Sequence, residues 1–210
     1  MPDIPARTRG TAALRQTVTD TIVEAAALEL AEIGYAGLSM GAVARRAGAG
    51  KAALYRRWPS KEAMVVDVVA IIAGKQVPMT DTGNLRDDVR AYVSATATTL
   101  SDPLFARIVL DMTAEASRNP RLAEAFNVTI RVPRRATCEH MLQRAVRRGE
   151  LPADLDLQLA LDLLAGFTQF RTLLTGETGD HNRIEQTSSL ITAALPLCRL
   201  QGGVTGQTLQ

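Results

Sequence analysis

Hydrophobic positions recur every three or four residues along most of this chain and rarely alternate with polar ones, which indicates helices rather than strands. Residues 12–33 form the first such segment. Its apolar face consists of Val18, Ile22, Ala26, Leu30 and Ile33. Gly34 is expected to end this helix, because glycine readily adopts the left-handed conformation of a helix C-cap. The pattern predicts an all-α protein of about nine helices.

Two short helices and a longer one follow the first. Ser39 is suited to cap a helix of two turns, Gly48 is suited to stop it, and residues 51–58 form a third helix. Ser60 can cap the fourth helix, which runs over residues 61–76. Two short helices that are joined by a glycine turn and flanked by longer helices are typical of a helix-turn-helix domain.

Five more helices are predicted in the rest of the chain. They cover about residues 84–100, 103–118, 120–149, 155–174 and 183–200. Pro133 lacks an amide donor, so the helix that contains it is expected to bend there. The last two helices are apolar on more sides than one neighbour would cover, so they need partners on two faces.

Composition adds limits to this picture. With 46% hydrophobic and 22% charged residues among 210, the chain is typical of a globular protein. It shows neither a signal peptide nor a membrane-spanning run, so a soluble, cytoplasmic protein is expected. Two cysteines and two histidines cannot form a disulfide framework or, without carboxylates, a four-ligand zinc site. We therefore expect neither a metal nor a cofactor.

Charge is distributed unevenly along the chain. The net charge is only +2, yet residues 1–61 hold nine Lys or Arg against five Asp or Glu. Residues 45–61 contain six basic side chains and no acidic one, namely Arg45, Arg46, Lys51, Arg56, Arg57 and Lys61. This local field suits a polyanion, although charge alone leaves a solvated basic surface as an alternative.

The stretch AGAGKAALYRRWPSK (47–61) raises two phosphate-binding hypotheses, a nucleotide loop and a DNA contact. A P-loop needs a glycine five residues before its Gly-Lys pair and a hydroxyl residue after it. Arg45 and Ala52 occupy those positions, and the preceding residues are helical rather than a strand. DNA is therefore the expected partner.

The longer stretch GYAGLSMGAVARRAGAGKAALYRRWPSKEAMV (34–65) resembles the DNA-binding domain of the TetR family of bacterial transcriptional regulators. The likeness is carried by Gly34-Tyr35, Ala-x-x-Ala-Gly at 44–48, Leu54-Tyr55, Trp58 and Ser60-Lys61. It covers about residues 12–70. The resemblance implies a flexible basic arm (1–11), a helix-turn-helix domain (12–60), a connecting helix and linker (61–82), a helical ligand-binding and dimerisation domain (83–202) and a flexible tail (203–210).

Geometry and resemblance together suggest roles for the basic stretch. Leu54 and Trp58 lie four residues apart and face the core. The opposite side carries the candidates for base contacts, which are Lys51, Ala52, Ala53 and Arg56. The Arg56 guanidinium and the Lys51 ammonium can bond guanine, and the methyl groups of Ala52 and Ala53 can touch a thymine methyl. Phosphate contacts are expected from Ser39, Tyr55, Arg57 and Lys61, and from Arg7 and Arg9 on the arm.

Three positions depart from the family pattern. Gly50 stands where a serine usually caps the third helix, and Ala53 replaces a frequent threonine. Both changes remove a hydroxyl that often bonds a phosphate. Gly41 occupies a position where relatives often present a longer side chain to DNA. The operator sequence therefore cannot be carried over from a relative.

The second part of the chain resembles one branch of TetR-type ligand domains. The matching segments are 83–85, Pro-Arg-Arg at 133–135, 148–151 and 164–171. The resemblance implies a homodimer through helices at about 156–175 and 183–200, a palindromic operator, and release from DNA by a small molecule. Candidate residues for lining the ligand cavity are Phe105, Met112, Phe126, Met141, Phe167 and Phe170, which favour a largely apolar effector.

Two alternatives stay open at this point. The first is a DNA-binding regulator that needs no small-molecule ligand. The second is an enzyme that uses Cys138 and His140. On a helix these two side chains point about 200° apart, so they cannot pair as nucleophile and base. Cys138 also lies on the apolar face, where it is expected to be buried.

Overall fold

The computed structural model describes residues 6–74, 81–174 and 180–200, with all their side chains except those of residues 6–17, 73 and 74. The helices are α1 (Ala6–Gly37), α2 (Met40–Arg46), α3 (Lys51–Arg57), α4 (Lys61–Gly74), α5 (Leu85–Leu100), α6 (Pro103–Ala116), α7 (Pro120–Phe126), α8 (Val132–Arg147), α9 (Leu157–Gln169) and α10 (His181–Ala194). The turns Asn127–Arg131 after α7 and Phe170–Leu174 after α9 are π-helical, and Leu195–Leu197 after α10 is a 3-10 turn.

The all-α prediction is confirmed for these residues. Outside the helices, their extended structure is a single antiparallel bridge between Leu155 and Arg199. If residues 120–147 are counted as one helix with a π turn, the described chain has nine helices, the predicted number.

Three predicted signals for helix ends agree with the structure. The Ser39 hydroxyl oxygen accepts the Ala42 amide at 3.1 Å, and that of Ser60 accepts the Ala63 amide at 3.1 Å. Gly48, with φ of +62°, makes the left-handed turn that follows α2.

Other predicted features differ from the structure. Residues 6–11, expected to be a flexible arm, are helical and form the start of α1. The side chains of Arg7 and Arg9, and residues 1–5 and 201–210, lie outside the described residues. Near Pro133, where a bend is expected, the helix contains the π turn Asn127–Arg131, which includes the carbonyl that an amide donor at Pro133 would have used.

The described chain packs as two compact units. The first contains α1–α4, α6, α7 and the following π turn, and its fully buried side chains include Leu30, Val43, Leu54, Met64, Ile108, Met112 and Leu122. The second contains α5 and α8–α10, with Val89, Met141, Leu142, Leu164, Ile191 and Leu195 in its core. Residues 102–131 thus pack with the helix-turn-helix segment, and the predicted start of the C-terminal domain at residue 83 stays a prediction.

Candidate nucleic-acid interface

Helix α3 has one buried side and one exposed side. Leu54 and Trp58 are 0% and 3% exposed and anchor the helix in the first unit. The outward side carries Lys51, Ala52, Tyr55 and Arg56, with Ala53 partly exposed. Gly50 begins the helix without a side-chain hydrogen bond, as the missing hydroxyl at this position predicts. The predicted base-contacting residues therefore share an accessible face, and their contacts with DNA stay predictions.

Arg46 is turned inward onto α1. Its Nε lies 2.9 Å from Glu29 Oε1, and its NH1 donates to Glu32 Oε1 at 2.9 Å. The hydrogen bond from Arg46 is the main reason that the pKa of Glu32 is lowered. Arg46 is therefore neutralised by the protein's own carboxylates.

Arg57 and Lys61, both predicted phosphate contacts, also have partners within the first unit. The Arg57 guanidinium lies 3.9 Å from Asp67 Oδ2 and 5.1 Å from the centre of the Trp58 ring. Lys61 Nζ donates to the Tyr35 carbonyl at 2.9 Å and lies 4.2 Å from the centre of the Tyr35 ring. An ammonium has three donors, so Lys61 retains capacity for a phosphate.

Arg45 and Lys51 converge on the space above Gly41. A side-chain Cβ at Gly41 would lie 3.4 Å from Lys51 Nζ and 3.7 Å from Arg45 NH1. The glycine therefore makes room for two cations in one place, and neither forms an ion pair with a carboxylate of the described chain. Like charges held close together repel each other, so an approaching polyanion relieves the repulsion. Arg45 was not among the predicted contacts, although its i+4 spacing from Gly41 places both on one face of α2.

Ser39 and Tyr55 fit contacts with phosphate. The Ser39 oxygen accepts a backbone amide, which leaves its hydroxyl hydrogen free to donate. Tyr55 is 53% exposed on the outward side of α3. Their roles stay predictions.

A carboxylate on α6 holds the junction between α1 and α2. Gly34, with φ of +71°, breaks α1, and the next amide, that of Tyr35, donates to Asp111 Oδ2 at 2.7 Å. A Cβ at Gly34 would lie only 2.9 Å from Asp111 Oδ1. The Tyr35 hydroxyl donates to Glu62 Oε1 at 2.9 Å. The pKa of Tyr35 is raised, mainly by burial and secondly by this hydrogen bond. Sequence reasoning missed Asp111 because it lies far from Gly34 along the chain.

The predicted pocket residues divide between the units. In the first, Phe105 and Met112 are buried on α6 and Phe126 is half-buried. In the second, Met141 is buried, Phe167 packs against the core, and Phe170 is 56% exposed. The second unit also contains a cavity of about 20 Å³, lined by residues of α5, α9, α10 and the π turn after α9, none of them a predicted lining residue. That space holds about one water molecule.

Chemistry at Cys138 is disfavoured by its surroundings. The side chain is 6% exposed, and burial raises the pKa of its thiol to about 11. A thiol protonated at neutral pH is a poor nucleophile. His140 on the same helix is exposed. The described residues include no metal-binding group of three or more His, Cys, Asp or Glu, and no helix among them is long and apolar enough to cross a membrane.

An exposed cationic helix, preceded by a capped short helix and a glycine turn, defines a helix-turn-helix DNA-binding protein. Family models agree with this class. Residues 22–68 match the bacterial regulatory proteins of the tetR family, and residues 79–191 match the tetracyclin repressor-like C-terminal domain. The chain belongs to the TetR family and is a DNA-binding transcriptional regulator.

Individual relatives support this assignment. An uncharacterized HTH-type transcriptional regulator of Mycobacterium tuberculosis (strain ATCC 25618 / H37Rv) is 37% identical over 147 residues, 69% of this chain and 71% of that protein. The DNA-binding transcriptional repressor TetR of Mycobacteroides abscessus is 30% identical over 151 residues, 70% and 77% of the two chains. The crystal structure of the TetR family regulator SCO0332 has 27% identity and a TM-score of 0.67, covering 84% of this chain and 97% of that one. FadR from Bacillus subtilis, solved with stearoyl-CoA, shares the fold at 18% identity and a TM-score of 0.69, covering 83% and 96%.

Proposed function

We propose that this regulator is a homodimeric repressor rather than an enzyme, that it binds a palindromic operator in the cytoplasm through α3, and that a small, largely apolar molecule releases it. The observation that carries the DNA part is the exposed group of Arg45, Lys51 and Arg56. These cations have no carboxylate partner among the described residues, and two of them share the space above Gly41.

The homodimer is supported by exposed apolar residues on the last helices and turns. Leu159 and Phe170 on α9 and its π turn are 50% and 56% exposed. Leu190 on α10 and Leu197 just after it are 55% and 79% exposed. An apolar surface repeated on two neighbouring segments is typical of a protein–protein interface. A second copy, related by a two-fold axis, would cover it and form a four-helix bundle.

Release by a ligand rests on the family and on the apolar character of the predicted lining residues. FadR shows that a protein of this fold holds stearoyl-CoA, but at 18% identity that likeness supports the fold alone. The 20 Å³ cavity of the second unit is too small to identify an effector, so a regulator that needs no ligand stays the alternative. Melting temperatures measured with apolar acids, acyl-CoA esters and aromatic compounds distinguish release by a ligand from regulation without one. A compound that raises the melting temperature and lowers the DNA affinity supports release. A compound that lacks either effect does not.

A binding assay with intergenic DNA next to the protein's own gene tests the main proposal. We expect salt-sensitive binding of a dimer to a palindrome whose half-sites lie about 34–36 Å apart or more. Lys51→Ala should weaken binding, whereas Arg147→Ala, which removes an exposed arginine from α8 in the second unit, is the charge-matched control. A wild-type protein that binds no such fragment, or a control that weakens binding equally, would contradict the proposal.

A further inference from the structure

One carboxylate on α4 contacts the end of α3 in two ways. Asp67 Oδ2 accepts the indole N–H of Trp58 at 2.8 Å and lies 3.9 Å from Arg57 NH2. Trp58 is 3% exposed, so the first contact holds a buried side chain that anchors α3. The side chains of Arg57 and Asp67 are 49% and 41% exposed, so the second contact is an ion pair open to solvent.

The Arg57 guanidinium has room to leave this position. It lies beside Trp58 and Asp67 at the wall of an open groove of about 520 Å³. The groove runs between α4 and the α7 segment, where small side chains, Ala63 and Ala125, leave the space unfilled. A rotation of the Arg57 side chain therefore meets solvent rather than packed atoms.

We propose that Asp67 is a positioning residue that competes with DNA phosphate for Arg57 and so lowers the affinity for all DNA sequences alike. Carboxylate and phosphate offer a guanidinium the same kind of charged acceptor, so the attraction of Arg57 to Asp67 opposes its movement toward a phosphate. Phosphate contacts carry no sequence information, so the base preference stays the same. The inference rests on the proposed operator binding. It adds that a carboxylate of the protein, that of Asp67, limits the affinity for DNA.

Two substitutions separate the roles of Asp67. In Asp67→Asn the amide oxygen still accepts the Trp58 N–H, but the charge that holds Arg57 is lost. In Asp67→Ala both contacts are lost. We expect Asp67→Asn to bind DNA about two- to fivefold more tightly, because an exposed ion pair is weak. Trp58 is the only tryptophan, so its fluorescence reports on this contact: the emission of Asp67→Asn should stay near that of the wild type, and that of Asp67→Ala should shift.

The experiment is a double-mutant cycle on a short duplex that the wild-type protein enriches from a random-sequence pool. Dissociation constants are measured at one salt concentration for the wild type, Asp67→Asn, Arg57→Ala and the double variant. The gain from Asp67→Asn should vanish when Arg57 is absent. Glu24→Gln, which removes an exposed charge from α1 of the same unit, is the control and should give no gain. A repeated enrichment with Asp67→Asn should return the same motif.

Three results would overturn the inference. They are an unchanged affinity of Asp67→Asn, a gain that persists with Arg57→Ala, and an altered motif. Either of the first two, with a wild-type protein that binds normally, refutes the competition and leaves the proposed function intact. A wild-type protein that enriches no duplex refutes the proposed function itself.

Discussion

Two groups of cationic side chains in this protein look alike in the sequence and differ in their surroundings. Arg45, Lys51 and Arg56 on α2 and α3 have no carboxylate partner among the described residues. Arg144 and Arg148, at the end of α8, face three carboxylates. We therefore expect a basic run to bind a polyanion most strongly where the fold leaves its charges without acidic partners.

The second group is built around a buried carboxylate. Asp88 is 1% exposed and accepts the amide and hydroxyl of Thr82 at 2.8 and 2.7 Å. Arg148 NH2 lies 3.3 Å from Asp88 Oδ2, and Arg144 NH2 lies 3.8 Å from it. Burial alone would raise the pKa of Asp88, but the bonds from Thr82 and these two arginines together lower it. The ionised carboxylate is therefore part of the fold of the second unit.

The largest expected effect comes from breaking this paired group. Asp88→Ala leaves two arginines without their buried partner and should lower the free energy of unfolding by about 3 kcal/mol. Urea unfolding followed by circular dichroism measures the loss. Asp87→Ala, an exposed acid in the same turn, is the matched control and should cost no more than about 1 kcal/mol. Equal losses in the two variants would show that the pairing adds nothing.

A smaller effect is expected from the unpaired group. Arg56→Ala should cost about 1–3 kcal/mol of operator binding and relax the base preference at one position of each half-site, while unfolding stays unchanged. Lys61→Ala should instead weaken all sequences alike. Enrichment of random duplexes by each variant provides the measurement. An unchanged preference with Arg56→Ala would remove that residue from the base-contacting set.

Acid offers a gentler way to weaken the paired group. The Leu85 amide, at 2.6 Å, and then Arg148 lower the pKa of Glu150, and that of Asp88 is lowered as well. Groups whose pKa is lower in the folded chain stabilise it fully above the unfolded values of about 4, and that stabilisation is lost as the pH falls through the folded pKa values. Melting temperatures between pH 3 and 7 should fall at the acid end, and less steeply in Glu150→Gln. A parallel fall in that variant would contradict the assignment.

The sequence predicts the helices and the exposed side of α3 because both follow from local spacing. Leu54 and Trp58 are buried because they lie four residues apart on an amphipathic segment. It does not predict which basic residues are paired, because the partners are distant in the chain. Arg46 meets Glu29 and Glu32 only when α2 packs on α1. For the same reason the contact between Asp111 and Tyr35 has no local signal.

Two adjacent arginines on α2 provide the most direct test of the comparison, with the smallest expected effect. Arg45 lies over Gly41 without a carboxylate partner in the described chain, whereas Arg46 is bound to two glutamates of α1. Arg45→Ala should weaken binding to all duplexes by about 1 kcal/mol per protomer, about fivefold, and reduce the salt dependence by about one phosphate contact. Arg46→Ala should lower the melting temperature slightly and leave the DNA affinity of the folded protein and its salt dependence unchanged. Salt titrations of both variants on one duplex decide the matter: if Arg46→Ala loses the salt dependence and Arg45→Ala keeps it, then pairing within the fold does not determine which cations meet DNA.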